Sequence, residues 1–406
     1  MIIEPVRRGA VWAAAHPDGR DRAVRRTIEQ IRHHGTARGP RAALVVGASS
    51  GLGLATRLAV AFGSGSATVG VCLERPGAPN RTATAGWYNA AATERELRAA
   101  GLYGRTVVGD AFGDAVKERT ARLIAEELGG VDLVVHSVAA PRRTDPVTGR
   151  VHRSVIKAIG APFTEKAFDA RSASVRTITT PVASEKEIDQ TVRVMGGEDW
   201  ARWIDVLERH GALAPGAMTV AFSYIGNDWL APTYRDGTLG RAKQHLEDTA
   251  ADLARRLAPD GGRAHAAVMR ALVTPASQVM PVQALYTLLL SRVTREAGLP
   301  EDTDGQARRL LRDHLYADGP LHTDSRGRIR LDDIEMRADI QEEVRRRWDK
   351  VTDTAGLAEL GDLDHYLALT RELYGFGVEG VDYAADTDPV REIPGALRIP
   401  DVHPRP

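Results

Sequence analysis

Two phenols and one ammonium fall within a single run of the chain: Tyr224, Tyr234 and Lys243. A tyrosine next to a lysine is a proton-donating pair, because the ammonium favours phenolate and so lowers the pKa of the phenol toward neutrality. The spacing sets a condition. Nine steps along a continuous α-helix rotate a side chain by about 180°. Tyr234 and Lys243 therefore cooperate only if a helix begins between them. Asp236-Gly237-Thr238 supplies such a start, with glycine breaking the preceding structure and Thr238 as the expected N-cap. Tyr234 is then a loop residue and Lys243 lies one turn into the helix. The same letters also describe a packed loop tyrosine and a solvated lysine.

The elements that must position this pair read as alternating strands and helices. Ala42 to Val46 is a buried-strand run that ends in Gly47-Ala48-Ser49-Ser50-Gly51-Leu52-Gly53, and a helix follows from Leu54. Strand, glycine-rich turn and helix in that order form the setting of a dinucleotide site. Gly47 and Gly51 let the chain turn tightly, and Gly53 lets the helix approach the strand. The helix N-terminus then faces a pyrophosphate. The spacing Gly-x-x-x-Gly-x-Gly resembles that of short-chain dehydrogenases and reductases.

Later strand ends add candidates. The second strand, Thr68 to Leu73, stops at Glu74. An acid there holds ribose hydroxyls and repels a 2′-phosphate, which favours NADH over NADPH, although Arg75 beside it opposes that reading. Asp110-Ala111 ends the third strand, where a side chain meets the adenine edge. Val138-Ala139 follows the fourth strand and is small enough to admit a cofactor; His136 beside it is a candidate base, although a lone histidine at a strand end is more often structural. The backbone of Leu272-Val273-Thr274 after the last strand either clamps a carboxamide or is an ordinary loop. Gly86-Trp87-Tyr88-Asn89 reads equally as a loop over the site or as packing.

These elements predict an α/β chain with a Rossmann-like, doubly wound parallel sheet, a helical insertion and a helical C-terminal extension. One large domain is expected over 1–406. It comprises an N-terminal cover (1–40), a dinucleotide-binding core (41–275) with a substrate-side insertion (141–215), and a mostly helical extension (276–406). Ile2 and Ile3 read as a short strand, and the chain after Asp386 as irregular.

Composition narrows the function classes. Among 406 residues, 54 Lys and Arg balance 54 Asp and Glu. That balance argues against nucleic acid or an anionic membrane as a partner recognised through a global field. The single cysteine, Cys72, excludes an intrachain disulfide and a multi-cysteine zinc site, and no metal is expected. No signal-peptide core or membrane-spanning run stands out, so a cytoplasmic protein is expected.

Taken together, the motifs resemble those of the FabV-type trans-2-enoyl reductases, which act on enoyl thioesters of acyl-carrier protein or coenzyme A. The resemblance spans nearly the whole chain. It rests on Gly47-Ala48-Ser49-Ser50-Gly51-x-Gly53, Gly86-Trp87-Tyr88-Asn89, Gly109-Asp110-Ala111-Phe112 and Val194-Met195-Gly196-Gly197-x-Asp199-Trp200. It continues through Tyr224-Ile225-Gly226, Tyr234-x8-Lys243, Val273-Thr274-x-Ala276-Ser277 and Phe376-Gly377-Val378-Glu379-Gly380-Val381-Asp382-Tyr383. It implies that Gly47, Ala48, Ser49, Ser50, Gly51 and Leu52 cradle the pyrophosphate. Leu73 and Glu74 would meet the adenosine ribose, and Asp110 and Ala111 the adenine. Val138 and Ala139 would lie on the nicotinamide side, with Leu272, Val273 and Thr274 at the carboxamide. Tyr224 would contact the thioester, Tyr234 would donate the proton, and Lys243 would bind the nicotinamide ribose. The expected reaction is NADH-dependent reduction of the trans-2 double bond in fatty-acid synthesis, by a monomer. Leu52, His136, Pro275 and Ala231 depart from the family pattern, which bears on cofactor preference and substrate size. Two other functions share the early steps: a ketone reductase using the same Tyr/Lys pair, and a non-catalytic dinucleotide sensor.

Overall fold

A computed structural model of the chain describes residues 1–8, 11–35 and 37–400. Short apolar runs become the strands of one sheet: β1 (Ala42–Val46), β2 (Ala67–Cys72), β3 (Gly104–Val108), β4 (Val131–His136), β5 (Leu213–Ser223) and β6 (Arg263–Val268). Two-residue strands, β7 (Ile329–Arg330) and β8 (Leu397–Arg398), close its edges. The order is β7-β6-β5-β4-β1-β2-β3-β8, and every pairing is parallel. The order reverses between β4 and β1, and ligands of such sheets bind at that switch point, beyond the carboxyl ends of the strands.

Side-chain alternation divides the core between the two faces of the sheet. Val45, Val135, Val220 and Phe222 pack under α1 (Pro17–His33), α2 (Gly51–Leu58) and α9 (Thr303–Arg309). Leu44, Val46, Val134 and Ala221 face the opposite way, against α4 (Asp114–Leu128), α6 (Glu198–Arg209) and α7 (Thr238–Leu257). The wholly buried Trp200 and Trp203 anchor α6. An ion pair fixes α2: Arg57 and Glu94 approach to 2.6 Å at 1% exposure each, and Thr106 donates a further hydrogen bond to Glu94. Removing one partner of such a buried pair costs about 3–5 kcal/mol.

A third core forms the substrate side. Leu285, Tyr286 and Leu289 of α8 (Pro281–Glu296) pack with Val344 and Trp348 of α10 (Ala338–Lys350) and Tyr366 of α11 (Leu363–Glu372). The antiparallel hairpin of Phe163–Asp169 and Ser174–Thr180 joins them through Phe168.

Some expectations are corrected. The 141–215 insertion is not simply helical: it holds this hairpin and a smaller one, Arg142–Thr144 with Val151–Arg153, besides α5 (Glu185–Met195) and α6. Polar, Thr-rich alternation disguised the strands. Gly86-Trp87-Tyr88-Asn89 is no loop; it opens α3 (Ala85–Ala99) and is buried. Ile2 and Ile3 form no strand, having no pairing edge. The C-terminal stretch is irregular but for β8, which pairs with β3. No helix of the described residues is long and apolar enough to cross a membrane.

Candidate active site

Hydrogen bonds stitch the carboxyl ends of the strands into one ledge. The Gly47 and Ala48 amides donate to Val71 O at 2.9 and 3.0 Å, Ser137 N to Val46 O at 2.8 Å, and Gly109 N to Cys72 O at 2.9 Å. Met269 N reaches Ser223 O, and Leu331 N reaches Val268 O, each at 2.9 Å. The loops after β6, β5, β4, β1, β2 and β3 therefore lie side by side in that order. They carry Leu272 to Thr274, Tyr224, Val138 and Ala139, Gly47 to Leu52, Leu73 and Glu74, and Asp110 and Ala111 respectively.

The glycine turn is as tight as its letters imply. Gly47 and Gly51 have φ of +89° and +51°. A Cβ on Gly47 would sit 2.1 Å from Ser137 O, and one on Gly53 would sit 2.1 Å from Gly47 O. Ser50 precedes α2 without a side-chain cap, so the first-turn N–H groups of α2 remain open, as an anion site requires. Asn89 donates to Ser49 O at 2.7 Å and accepts from Arg20 Nε at 2.6 Å, tying the turn to α1 and α3. Thr274 lies across from Gly51, 3.6 Å from where a Cβ would be, and its loop is pinned by reciprocal Thr274–Ser277 hydrogen bonds. These surfaces fit a dinucleotide.

Glu74 accepts from Ser49 Oγ at 2.6 Å and from the Thr84 hydroxyl. Burial raises its pKa, and these two hydroxyls oppose the rise. Leu73 is 39% exposed beside it. At the end of β3, Asp110 accepts from Phe112 N at 3.0 Å, and Ala111 O accepts from Lys117 Nζ at 2.6 Å. His136 is structural: Asp199 lies 3.3 Å from its Nε2 and 2.7 Å from Lys117 Nζ. Burial pushes the Asp199 carboxyl up, but Lys117 and His136 outweigh it and hold the group below its ordinary range.

The helix after Tyr234 starts where the spacing demands, but Gly237 is the N-cap and Thr238 the first helical residue. The Thr238 hydroxyl instead donates to Val155 O. Tyr234 O accepts from Gly237 N at 3.1 Å and Gly240 N at 2.9 Å, so the tyrosine's own carbonyl seats the first turn of α7. A Cβ on Gly240 would lie 1.7 Å from Arg235 O, which explains the glycine.

The Tyr234 and Tyr224 rings meet edge to face, 4.8 Å between centroids. The Tyr234 hydroxyl has no hydrogen-bond partner among the described residues, and burial raises its pKa. The expected lowering by Lys243 is not seen. Lys243 Nζ donates to Phe222 O at 2.9 Å, and no hydrogen bond joins it to Tyr234. Burial pulls the Lys243 ammonium down to about 8, and Glu247 opposes the fall. Tyr224 is held from behind: its hydroxyl donates to Glu335 Oε1 at 2.9 Å and accepts from Gln283 Nε2 at 2.8 Å. Beside Tyr234 opens a cavity of about 230 Å³ lined by Thr233, Ile156, Ile178, Val282 and Gln283. A largely apolar cleft lined by Tyr234, whose ring meets that of Tyr224, can hold an acyl chain with its carbonyl oxygen against a hydroxyl donor.

Comparisons with known proteins identify the family. A family model described as the trans-2-enoyl-CoA reductase catalytic region matches residues 81–316, and one described as the NAD(P)H binding domain of trans-2-enoyl-CoA reductase matches 2–79. The chain belongs to the trans-2-enoyl-CoA reductase family. An enoyl-[acyl-carrier-protein] reductase [NADH] of Flavobacterium psychrophilum is 46% identical over 96% of this chain and 98% of its own. A trans-2-enoyl-CoA reductase [NADH] of Ruminiclostridium cellulolyticum is 43% identical over the same shares. The Clostridium acetobutulicum trans-2-enoyl-CoA reductase solved in complex with NADH superposes with a TM-score of 0.94 at 38% identity, covering 97% of this chain and 100% of that one.

A third family model, described as an enoyl reductase FAD binding domain, matches residues 323–387. The segment does not fit a flavin. Its strand, β7, is two residues long, and no glycine-rich turn leads from it to a helix. Its buried acids are engaged internally: Asp332 pairs with Arg330 at 2.7 Å, and Glu335 accepts from two phenols and an amide. What the segment sends to the reductase site is Glu335.

Glu335, Gln283, Tyr286 and Asn89 escaped sequence reasoning. Tyr224 and Glu335 lie 111 positions apart, and an Asp-Asp-Ile-Glu run looks like solvated surface. Asn89 alone had a signal, in its aromatic motif.

Proposed function

We propose that the chain reduces the trans-2 double bond of enoyl thioesters of coenzyme A or acyl-carrier protein with NADH, as a step of cytoplasmic fatty-acid synthesis. The observation that carries this reading is the ring contact between Tyr224 and Tyr234, the latter lining a largely apolar cleft. We propose that the chain acts as a monomer.

In this reading Gly47 to Leu52 hold the pyrophosphate, Leu73 and Glu74 the adenosine ribose, and Asp110 and Ala111 the adenine. Val138, Ala139 and Leu272 to Thr274 border the nicotinamide, and Lys243 holds its ribose. Bound NADH supplies the hydride, which goes to the β-carbon. Negative charge then develops on the thioester oxygen, where preorganised donors matter most; losing one such donor commonly costs about 10²–10³ in turnover. Tyr224 and Tyr234 are those donors, and Tyr234 gives up the proton. Its raised pKa keeps the phenol protonated at neutral pH, ready to donate.

The test is NADH oxidation with crotonyl-CoA and longer enoyl-CoA esters, repeated with NADPH and with a panel of ketones. Fast turnover of enoyl esters with NADH is expected. Turnover of ketones alone would overturn the reading.

A further inference from the structure

Behind Tyr224 lies a buried acid, Glu335, with no cation bonded to it among the described residues. Glu335 is 0% exposed. Its Oε1 accepts from Tyr224 and from Tyr286 at 2.9 Å each, and its Oε2 accepts from Ala271 N at 2.6 Å. Ala271 opens the loop that carries Leu272 to Thr274. Gln283 donates to Tyr224 Oη and Gln341 to Tyr286 Oη, both at 2.8 Å. Arg270 is the nearby cation, and its guanidinium is turned to Thr294 at 3.3 Å and Glu301 at 3.7 Å.

The hydrogen count has a consequence. A carboxylate only accepts. With Glu335 ionised, both phenols must point their protons inward to Oε1. Gln283 already donates to Tyr224 Oη, so Tyr224 then has no hydrogen for a thioester oxygen. With Glu335 neutral, the cluster holds one more proton. The acid donates to Tyr224 Oη, and the Tyr224 O–H is released. Tyr286 faces the interior, against Trp229 and Gln341, whereas Tyr224 touches Tyr234 at the cleft. The released proton therefore emerges at the cleft.

We infer that Glu335 is a positioning residue for the proposed reduction: its carboxyl sets whether the Tyr224 hydroxyl points back into the buried cluster or forward to the thioester oxygen. This rests on the enoyl-reductase reading. Burial pushes the Glu335 carboxyl up to about 7, against the pull of the Ala271 amide, the two phenols and Arg270, so both forms are populated near neutral pH. The groups facing it are Tyr224 from the end of β5, Tyr286 from α8, and Arg270 with Glu301 behind it.

The experiment is kcat for crotonyl-CoA at saturating NADH as a function of pH, in wild type, Glu335→Gln and Tyr286→Phe. Wild-type kcat should fall by about tenfold from pH 6 to 8, toward a floor about 10²-fold lower set by loss of one oxyanion donor. Glutamine keeps an acceptor for Ala271 N–H and donates to Tyr224 at every pH, so its kcat ratio between pH 6 and 8 should stay below about threefold, the residue of Lys243 titration. Tyr286→Phe removes a donor that favours the ionised acid, so the fall should move to higher pH while KM for NADH changes by less than about twofold. A merely structural role moves neither limb. Identical profiles in wild type and Glu335→Gln would overturn the inference; if that variant does not fold, an unmoved limb in Tyr286→Phe does so. A wild type that turns over no enoyl thioester at any pH would instead remove the parent reading.

Discussion

Tyr224 and Tyr234 pack ring edge to ring face at an interplanar angle of 83°, although one ends a strand and the other precedes a helix. The contact fixes the second phenol through the first. Tyr224 is anchored by Glu335 and Gln283, while the Tyr234 hydroxyl has no partner among the described residues. The two phenols are therefore suited to unequal tasks: both can donate a hydrogen bond to the thioester oxygen, but Tyr224 does so under the control of Glu335, whereas the free hydroxyl of Tyr234 gives up the proton.

Replacing Tyr234 by phenylalanine keeps the ring contact and removes the free hydroxyl. Turnover of crotonyl-CoA should fall by about 10²–10³, and NADH affinity should change by less than about twofold, since the cradle lies on other loops. Stopped-flow turnover and NADH fluorescence titration check the two halves. Normal kcat in the variant rules out the proton-donor role.

The glycine turn makes a sharper steric prediction. Gly47 combines a φ of +89° with a Cβ position 2.1 Å from a backbone oxygen. Neither can be relieved by rotating a side chain. Gly47→Ala should shift the turn, cutting NADH affinity at least about tenfold, with a destabilisation of about 1–3 kcal/mol for the strained backbone. Calorimetric titration with NADH, read beside Tm, measures both; unchanged affinity would count against a cradle at this turn.

Glu74 bears on cofactor choice. Its carboxylate sits at the end of β2, held by Ser49 and Thr84. An acid there repels a 2′-phosphate, and Arg75 follows it in the chain. Glu74→Ala should raise the NADPH-to-NADH ratio of kcat/KM, by about tenfold for the loss of roughly 1.4 kcal/mol of repulsion. A ratio that does not move would mean that another group selects the cofactor.

Much of this arrangement is readable from the letters, for a physical reason. Buried parallel strands are near-continuous apolar runs, and β1, β2 and β4 are largely such runs, so the sheet shows itself. The glycines of the turn, the strand-end acids and the Tyr-x8-Lys gap obey local backbone rules. The hairpin of Phe163–Asp169 and Ser174–Thr180 was hidden because one face is polar and its partner surface, α8, comes about a hundred residues later. Glu335 was hidden for the same reason. A buried acid is recognised by what covers it, and Tyr224, Tyr286 and Ala271 arrive from three distant segments. Lys243 shows the converse limit: spacing brings it to the end of β5, but the Phe222 carbonyl determines where its ammonium points.

That lysine yields a prediction on stability. Burial lowers the Lys243 pKa to about 8, below the lysine value of about 10.4 in an unfolded chain. Between these values the unfolded state binds more protons than the folded one, so unfolding free energy rises with pH across that window. Below about pH 8 the folded protein carries the full cost of the buried ammonium, and by about pH 10.4 that cost is gone. Lys243→Met has no such group and also loses the hydrogen bond to Phe222 O, which offsets its stability equally at every pH. Wild type should therefore gain stability relative to Lys243→Met as pH climbs from 8 to 10.4, whatever the difference at pH 7. Urea unfolding of both proteins at several pH values reads this directly. A pH-independent difference would mean that the lysine titrates as it does in water, and that its ammonium is not held in the buried position beside β5.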